Sequence, residues 1–339
     1  MKKMFLAAMA ALAMLASCDK HTDEIAESAT GSVVKITLTD KTPATTRAFF
    51  GATAAAESWE KEIKTLTLYV FDASGNYVLQ RNFSASEISG QAATIPVPDA
   101  KPGETYKFYV MANGSAPTGI AVLDDLLAAT ETEAESYNGT FDEVVAAAKR
   151  SGGFTMTGSA SKAIAQAGQT TAVQIEIERL VSKIAVQAAT DSKFAAAYPG
   201  RVQITSATIS NAMPSTRYFR DIRSSGGDSQ KFSHAQAAKA QENNYCNLFY
   251  IYGNETGDEV LLTLEGLYDS DGDFSTTADQ MPVNYEVELK DADGSYGIDR
   301  NTYRRVSVNI SGLTGADVAV TITPADWEGP FNQDVNLGM

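Results

Sequence analysis

Histidine and cysteine, which many catalytic and metal sites use, are scarce in this chain. It holds two histidines, His21 and His234, and two cysteines, Cys18 and Cys246, among 339 residues. No nucleophile–base set or metal-ligand spacing is visible, and Ser233 beside His234 does not make a catalytic pair merely by being its neighbour. We therefore expect no enzymatic activity and no cofactor.

Basic charge is also in short supply. Lysine and arginine number 27 against 42 aspartates and glutamates, and the formal net charge is −15. Because nucleic-acid binding requires a basic face, nucleic acid is not an expected partner. With 44% hydrophobic and 20% charged residues, the chain has the composition of a folded protein, and its length suits about two domains.

The apolar run at the N-terminus is too short to span a membrane, and no such span is visible further along the chain. Two lysines precede an apolar run from Met4 to Ala16 and then small residues, which is typical of a secretory signal. The ending Leu15-Ala16-Ser17-Cys18 resembles a bacterial lipobox, which implies removal of residues 1–17 and acylation of the Cys18 thiol. The alternative is an ordinary signal peptide with an incidental cysteine.

A strand and an exposed tether follow this leader. Val34, Ile36 and Leu38 alternate with polar residues, the period-2 pattern of a half-buried β-strand. The polar stretch from Asp40 to Thr46 then ends in Arg47, and a loop of this composition is easily cut. Cleavage of the Arg47–Ala48 bond would let the strand leave and open an apolar groove. The alternative is that Arg47 is an ordinary exposed arginine.

Most of the remaining chain alternates between short apolar strands and turns. This pattern predicts a mostly β chain with two tandem β-sandwich domains, divided near Arg179 into residues 48–178 and 179–339. The period changes between Gly119 and Arg150, where Leu123, Leu126 and Leu127 and a capping box at Thr140–Glu143 predict two short helices in a connection.

Three further features are interpreted as structural. The acidic loop Asp269–Asp273, with Asp279 nearby, could bind calcium, but its glycine is at the fourth position and that of an EF-hand loop is at the sixth. We favour a solvated hairpin turn, and calcium binding is the alternative. Cys246 begins an apolar strand and is interpreted as a small buried hydrophobe; with Cys18 acylated it has no disulfide partner. An aromatic strip for sugar binding is the weaker interpretation of Tyr245, Phe249, Tyr250 and Tyr252, because alternation assigns some of these to the core.

Several segments, in this order, resemble the fimbrillin family of Bacteroidetes surface pili, the subunits of type V pili. The resemblance covers nearly the whole chain. The similar segments are the lipobox, Thr45–Ala48, Leu66–Asn76, Tyr109–Asn113, Phe154–Gly158, Arg179–Ile184, Arg300–Tyr303 and Val318–Trp327.

The resemblance implies a lipoprotein precursor with two β-sandwiches of transthyretin-like, Greek-key type. An arginine-specific surface protease would cut after Arg47, and Val33–Thr39 would depart. A C-terminal segment of another subunit would then fill the groove, forming a fimbria on the outer membrane that supports adhesion to a host or bacterial ligand. The membrane would be contacted only through the lipid of the precursor.

The donated segment is expected within Val318–Leu337, although only twelve residues follow Trp327. Its candidate side chains are Val318, Val320, Ile322, Trp327, Val335 and Leu337. A tail that packs on its own domain would instead indicate a tip or anchor subunit. A further alternative is a monomeric outer-membrane lipoprotein that binds a glycan or host ligand and forms no assembly.

Overall fold

The computed structural model describes residues 32–39, 49–50, 56–90, 95–97, 100–166, 169–220, 231–254, 259–290, 294–327 and 335–337. Cys18, Arg47 and Ala48 therefore lie outside the described residues. Among those described, no helix combines the length and the hydropathy needed to cross a membrane.

Two sheets form the first half of the chain. A five-stranded sheet has the order β3-β2-β5-β7-β9, and a second sheet has β1 at its centre, paired with β4, β8 and the C-terminal β20 (Val335–Leu337). The strands are β1 (Ser32–Thr39), β2 (Leu66–Phe71), β3 (Tyr77–Phe83), β4 (Ile95–Val97), β5 (Thr105–Ala112), β6 (Thr130–Glu131), β7 (Met156–Ala163), β8 (Thr170–Glu176) and β9 (Glu178–Arg179).

Short helices fill the connections of this half. They are α1 (Ser58–Lys61), α2 (Ala85–Gly90), α3 (Leu123–Ala128), a 3-10 helix (Ala134–Tyr137) and α4 (Phe141–Val144). The two helices predicted between Gly119 and Arg150 correspond to α3 and α4. At α4 the predicted capping box is present, because the Glu143 carboxylate accepts the Thr140 backbone N–H at 2.9 Å.

Two more sheets form the second half, β14-β15-β10-β18-β19 and β13-β11-β16-β17. Their strands, with one helix, are β10 (Val181–Thr190), α5 (Ser192–Ala197), β11 (Arg201–Ala212), β12 (Thr216–Arg217), β13 (Phe232–Ala237), β14 (Lys239–Gln241), β15 (Asn244–Tyr252), β16 (Leu261–Asp269), β17 (Gln280–Glu288), β18 (Thr302–Ile310), β19 (Val318–Asp326) and β20 (Val335–Leu337). The small β12 strand pairs with β6 of the first half. The expectation of a mostly β chain with short helices is confirmed.

Three apolar cores account for the packing. One lies between the two sheets of the first half and another between the two sheets of the second half. The third joins the helical connection to both halves. In β15, Phe249 and Ile251 therefore face one core while Tyr250 and Tyr252 face another, and the strand is buried on both faces. Burial of three of the four predicted aromatics, with Tyr245 half-buried, places them in the core, not on a sugar-binding surface.

Candidate functional site: the groove occupied by the first strand

β1 lies in the middle of its sheet, with strands on both edges. Along one edge it runs parallel to β8, with Val33 opposite Thr170 and Thr39 opposite Glu176. Along the other edge two short strands share its length. β4 is antiparallel to Ser32–Val34, and β20 is antiparallel to Ile36–Leu38. Removal of β1 would therefore leave unpaired backbone groups on three strands.

The inward face of β1 completes the core of the first half. Val34, Ile36 and Leu38 are each fully buried. Complete burial of three aliphatic side chains stabilises the sheet by roughly 5–9 kcal/mol in gross terms. On the outward face Lys35 is half-buried. The side chains around the buried face come from both sheets: Leu66, Leu68, Val70, Ile95, Val97, Phe108, Val110, Met156, Val173 and Ile175.

The description of the chain resumes after the tether at Phe49, which contacts both α4 of the first half and β18 of the second half. The Phe49 ring packs edge-on against Phe141, with centroids 4.9 Å apart. The Phe49 carbonyl accepts a hydrogen bond from the Tyr303 hydroxyl at 3.1 Å. These contacts belong to the chain after the Arg47–Ala48 bond, so cleavage there would not remove them.

The two C-terminal strands pair with different sheets: β19 with β18 of the second half, and β20 with β1 of the first half. β19 is antiparallel to β18 along its whole length, from Val318 opposite Ile310 to Asp326 opposite Thr302. Val318 and Ile322 pack against the second-half core, whereas Val320 is 37% exposed. The last strand, β20, then pairs with β1 through Val335 and Leu337, which lie opposite Leu38 and Ile36.

Trp327 directly follows β19 and lies in a buried cluster. Its side chain is fully buried, and its ring stacks on Tyr250 with centroids 5.9 Å and planes 20° apart. The Arg179 guanidinium carbon lies 4.1 Å from the centroid of the Trp327 ring. The Trp327 backbone N–H also donates to the Asn301 carbonyl at 3.2 Å. The chain is therefore held firmly at residue 327.

Buried charged side chains lie beside this tryptophan: Glu60 and Lys183 form an ion pair, and Arg179 is hydrogen-bonded to neutral acceptors. The Glu60 carboxylate accepts hydrogen bonds from the Lys183 ammonium at 2.8 Å and from the Tyr250 hydroxyl at 2.6 Å. The Arg179 Nε–H donates to the Glu60 carbonyl at 2.7 Å. Burial, followed by the Glu60 charge, raises the pKa of Tyr250 well above its ordinary value. We call Glu60, Arg179, Lys183, Tyr250 and Trp327 the Trp327 anchor.

Sequence reasoning missed Glu60. It stands 119 residues from Arg179 and 123 from Lys183. Its local sequence is that of an ordinary charged helix, so no local pattern identifies it as the partner of the buried cations.

The remaining chemically active residues form no catalytic arrangement among the described residues. The His234 Nδ1 atom lies 3.0 Å from a Glu135 carboxylate oxygen, while the Ser233 hydroxyl donates to the Ile209 carbonyl at 3.1 Å. Cys246 is buried, and burial raises the pKa of its thiol. A buried thiol with a raised pKa is a poor nucleophile, in line with its interpretation as a small hydrophobe.

One protein family matches most of this chain. The profile of a family described as fimbrillin-A associated anchor proteins Mfa1 and Mfa2 matches residues 28–330. No curated protein sequence matches the chain.

Solved structures share the fold at low sequence identity. A protein assigned to cell adhesion in Bacteroides eggerthii is 16% identical, with a TM-score of 0.61 over 91% of this chain and 97% of that one. The fimbrilin of Porphyromonas gingivalis is 16% identical, with a TM-score of 0.58 over 89% and 99%. The tip fimbrial protein Mfa3 of the same organism, truncated at its C-terminus, is 14% identical, with a TM-score of 0.54 over 88% and 100%.

Proposed function

Because this chain belongs to the family of fimbrillin-A associated anchor proteins, we propose that it is a fimbrial subunit that polymerises by strand donation. In this proposal the chain is exported to the outer membrane as a lipoprotein acylated at Cys18. A surface protease cuts after Arg47, β1 departs, and a neighbouring subunit supplies the replacement strand. The proposal also keeps the division into a leader, residues 18–47, and two domains, residues 48–178 and 179–339.

The observation that supports this proposal is the position of β1. This strand lies at the centre of a sheet, and its buried face consists of Val34, Ile36 and Leu38. In the sequence, the polar tether from Asp40 to Arg47 joins it to the rest of the chain. Its loss would expose an apolar trough flanked by unpaired strand edges, which is a strong template for a new strand. Retention of β1 during export would keep the trough filled until the protease acts.

We propose that the donated segment begins after Trp327. β19 is paired with β18 throughout, and the Trp327 anchor attaches its end to the body. Donation of Val318–Trp327 would require both to be broken, and it would remove the buried Trp327 ring from its contacts with Arg179 and Tyr250. Beyond Trp327, Val335–Leu337 pair in strand geometry with β1 of the same chain. Of the six candidate donor side chains that the sequence suggests, the proposal keeps Val335 and Leu337, which follow Trp327.

A second candidate is an anchor subunit that keeps β1 and its lipid. Two observations favour it. The matched family is described as anchor proteins, and strands of the same chain already pair with both edges of β1, β8 on one edge and β4 with β20 on the other. Such a subunit would accept no strand in this groove and would remain uncut at Arg47. Adhesion to a host or bacterial ligand would then depend on the other subunits of the fimbria.

Replacement of the tether arginine tests the proposal. We expect Arg47→Ala to abolish the high-mass ladder that a strand-donated polymer gives on an unboiled denaturing gel, while surface export continues. Lys41→Ala removes a positive charge from the same tether and serves as the matched control, with assembly unchanged. Assembly of the Arg47→Ala protein at the wild-type level would refute cleavage-dependent strand donation.

A further inference from the structure

The loop between β16 and β17 brings together three carboxylates from its two ends, those of Asp269, Asp271 and Asp279. Asp269 is the last residue of β16, and its strand neighbours are Gln280 of β17 and Arg201 of β11. The loop then folds back so that one carboxylate oxygen from each of Asp269, Asp271 and Asp279 lies within 4.8 Å of the others. Two oxygens bound to the same calcium ion at 2.3–2.6 Å are separated by about 5 Å or less, so the three are close enough to share one ion.

Each carboxylate is oriented through one of its oxygens. The Gly272 N–H donates to Asp269 Oδ1 at 2.8 Å, and the Asp273 N–H donates to Asp271 Oδ1 at 2.8 Å. The Asp271 N–H and the Ser270 hydroxyl donate to Asp279 Oδ2, at 3.2 and 2.5 Å. Gly272 adopts a φ of +78°, a left-handed conformation that glycine adopts without strain. The loop backbone thus holds the three side chains in a fixed arrangement.

One oxygen of the buried Asp269 carboxylate accepts no hydrogen bond of normal geometry within the part of the chain that the structure describes. Asp269 is fully buried, and its Oδ2 atom has no hydrogen-bond partner among the described residues. Within the same part of the chain, no lysine or arginine forms an ion pair with any of the three carboxylates. An isolated buried carboxylate oxygen is costly, and native proteins satisfy such atoms with a donor or a metal ion.

We propose that Asp269, Asp271 and Asp279 bind one calcium ion at the tip of the β16–β17 hairpin. All the protein ligands are carboxylate oxygens, the ligand type that hard cations prefer, and the bound ion would satisfy the orphan oxygen of Asp269. The ligands come from both ends of a hairpin loop, so the glycine position that excludes an EF-hand does not exclude this geometry. Water molecules complete the coordination shell.

The affinity should match a calcium-rich exterior. Three carboxylates on an exposed loop resemble the weaker extracellular calcium modules, whose dissociation constants are about 10⁻⁴–10⁻³ M. The ion would tie the loop to the end of β16, where Tyr268 packs against Phe194 of α5 with ring centroids 6.1 Å apart. The site stands whether or not strand donation occurs, because it uses only residues of the second half.

Calorimetric titration of calcium into the protein purified from the cell surface and dialysed against EDTA tests this proposal. We expect saturable binding of one ion per chain and a rise of a few degrees in Tm at millimolar calcium. Asp279→Asn and Asp269→Asn should each weaken binding at least tenfold. The first variant lies in the exposed loop, so it reports on binding even if the second perturbs folding.

Asp273→Asn is the matched control, since it removes the same charge from the same loop outside the cluster and should leave binding within about twofold of wild type. Absence of saturable binding by the wild-type protein would overturn the proposal. Equal affinity of the Asp279→Asn protein and the wild type would do so as well.

Discussion

Substitution of Ile36 by alanine tests whether β1 stabilises the precursor and limits its own release. Ile36 is fully buried at the centre of β1, in contact with the first-half core. Truncation of a buried isoleucine to alanine costs about 2–5 kcal/mol because it removes apolar contacts and leaves a cavity. Lys35→Ala, on the half-buried outward face of the same strand, should change the free energy of unfolding by no more than about 0.5 kcal/mol.

The lost stabilisation should also increase the rate at which β1 dissociates after the tether has been cut. If the contacts of Ile36 are lost before the rate-limiting step, a loss of about 2–5 kcal/mol speeds release by about 30-fold to 4,000-fold, since each 1.4 kcal/mol is a factor of ten. Denaturant unfolding of the uncut protein measures the first quantity. Mass spectrometry of the released peptide after protease treatment measures the second. The reasoning fails if Ile36→Ala and Lys35→Ala behave alike in both assays.

Two further predictions concern the body of the protein. Trp327→Ala should lower the free energy of unfolding by about 3–5 kcal/mol, because it removes the buried ring that contacts Arg179 and Tyr250. The control is Val320→Ala, at an exposed position of the preceding strand. Equal effects of the two substitutions in denaturant unfolding would contradict the stabilising role of the Trp327 anchor. Burial raises the pKa of Tyr250 well above its ordinary value of 10 and that of Tyr69 to about 12. Both tyrosines therefore contribute stability that is present below pH 10 and is lost as the pH rises toward their folded values. A pH series of thermal unfolding should show Tm falling steeply above pH 10, and a flat Tm from pH 9 to 12 would contradict this assignment.

The first strand was accessible from sequence because only one of its faces is strongly apolar. Val34, Ile36 and Leu38 alternate with Lys35 and Thr37, and a period of two has one structural solution, a strand with a buried face. The structure places these three side chains in the core of the first half. The departure of this strand remains a proposal.

Strands buried on both faces are harder to interpret. In β2, the alternation of Leu66, Leu68 and Val70 in the sequence predicts one inward face, yet Tyr69 and Phe71 are also fully buried. They face the third core, which the helical connection supplies. Such a cover comes from a distant segment of the chain, so it leaves no periodic signal in the strand that it buries.

Sites built from distant residues escape local patterns altogether. Glu60 meets Lys183 and Tyr250 only after both halves have folded. The pairing of Asp269 with Gln280 brings the neighbouring Asp279 close to Asp269; the sequence shows an acidic loop here, but it does not show which of its carboxylates come together. The pairing of β20 with β1 joins the two ends of the chain, a contact that neither segment's composition specifies.

The N-terminal sequence and intact mass of the protein taken from the cell surface test the central proposal most directly. Measured with and without an arginine-specific protease, they report whether β1 stays attached. Strand donation predicts a mature chain that starts at Ala48 and is found in the high-mass assembly. A chain that starts at acylated Cys18 and remains a single monomeric species would contradict strand donation into this groove and would favour the anchor subunit that keeps its first strand.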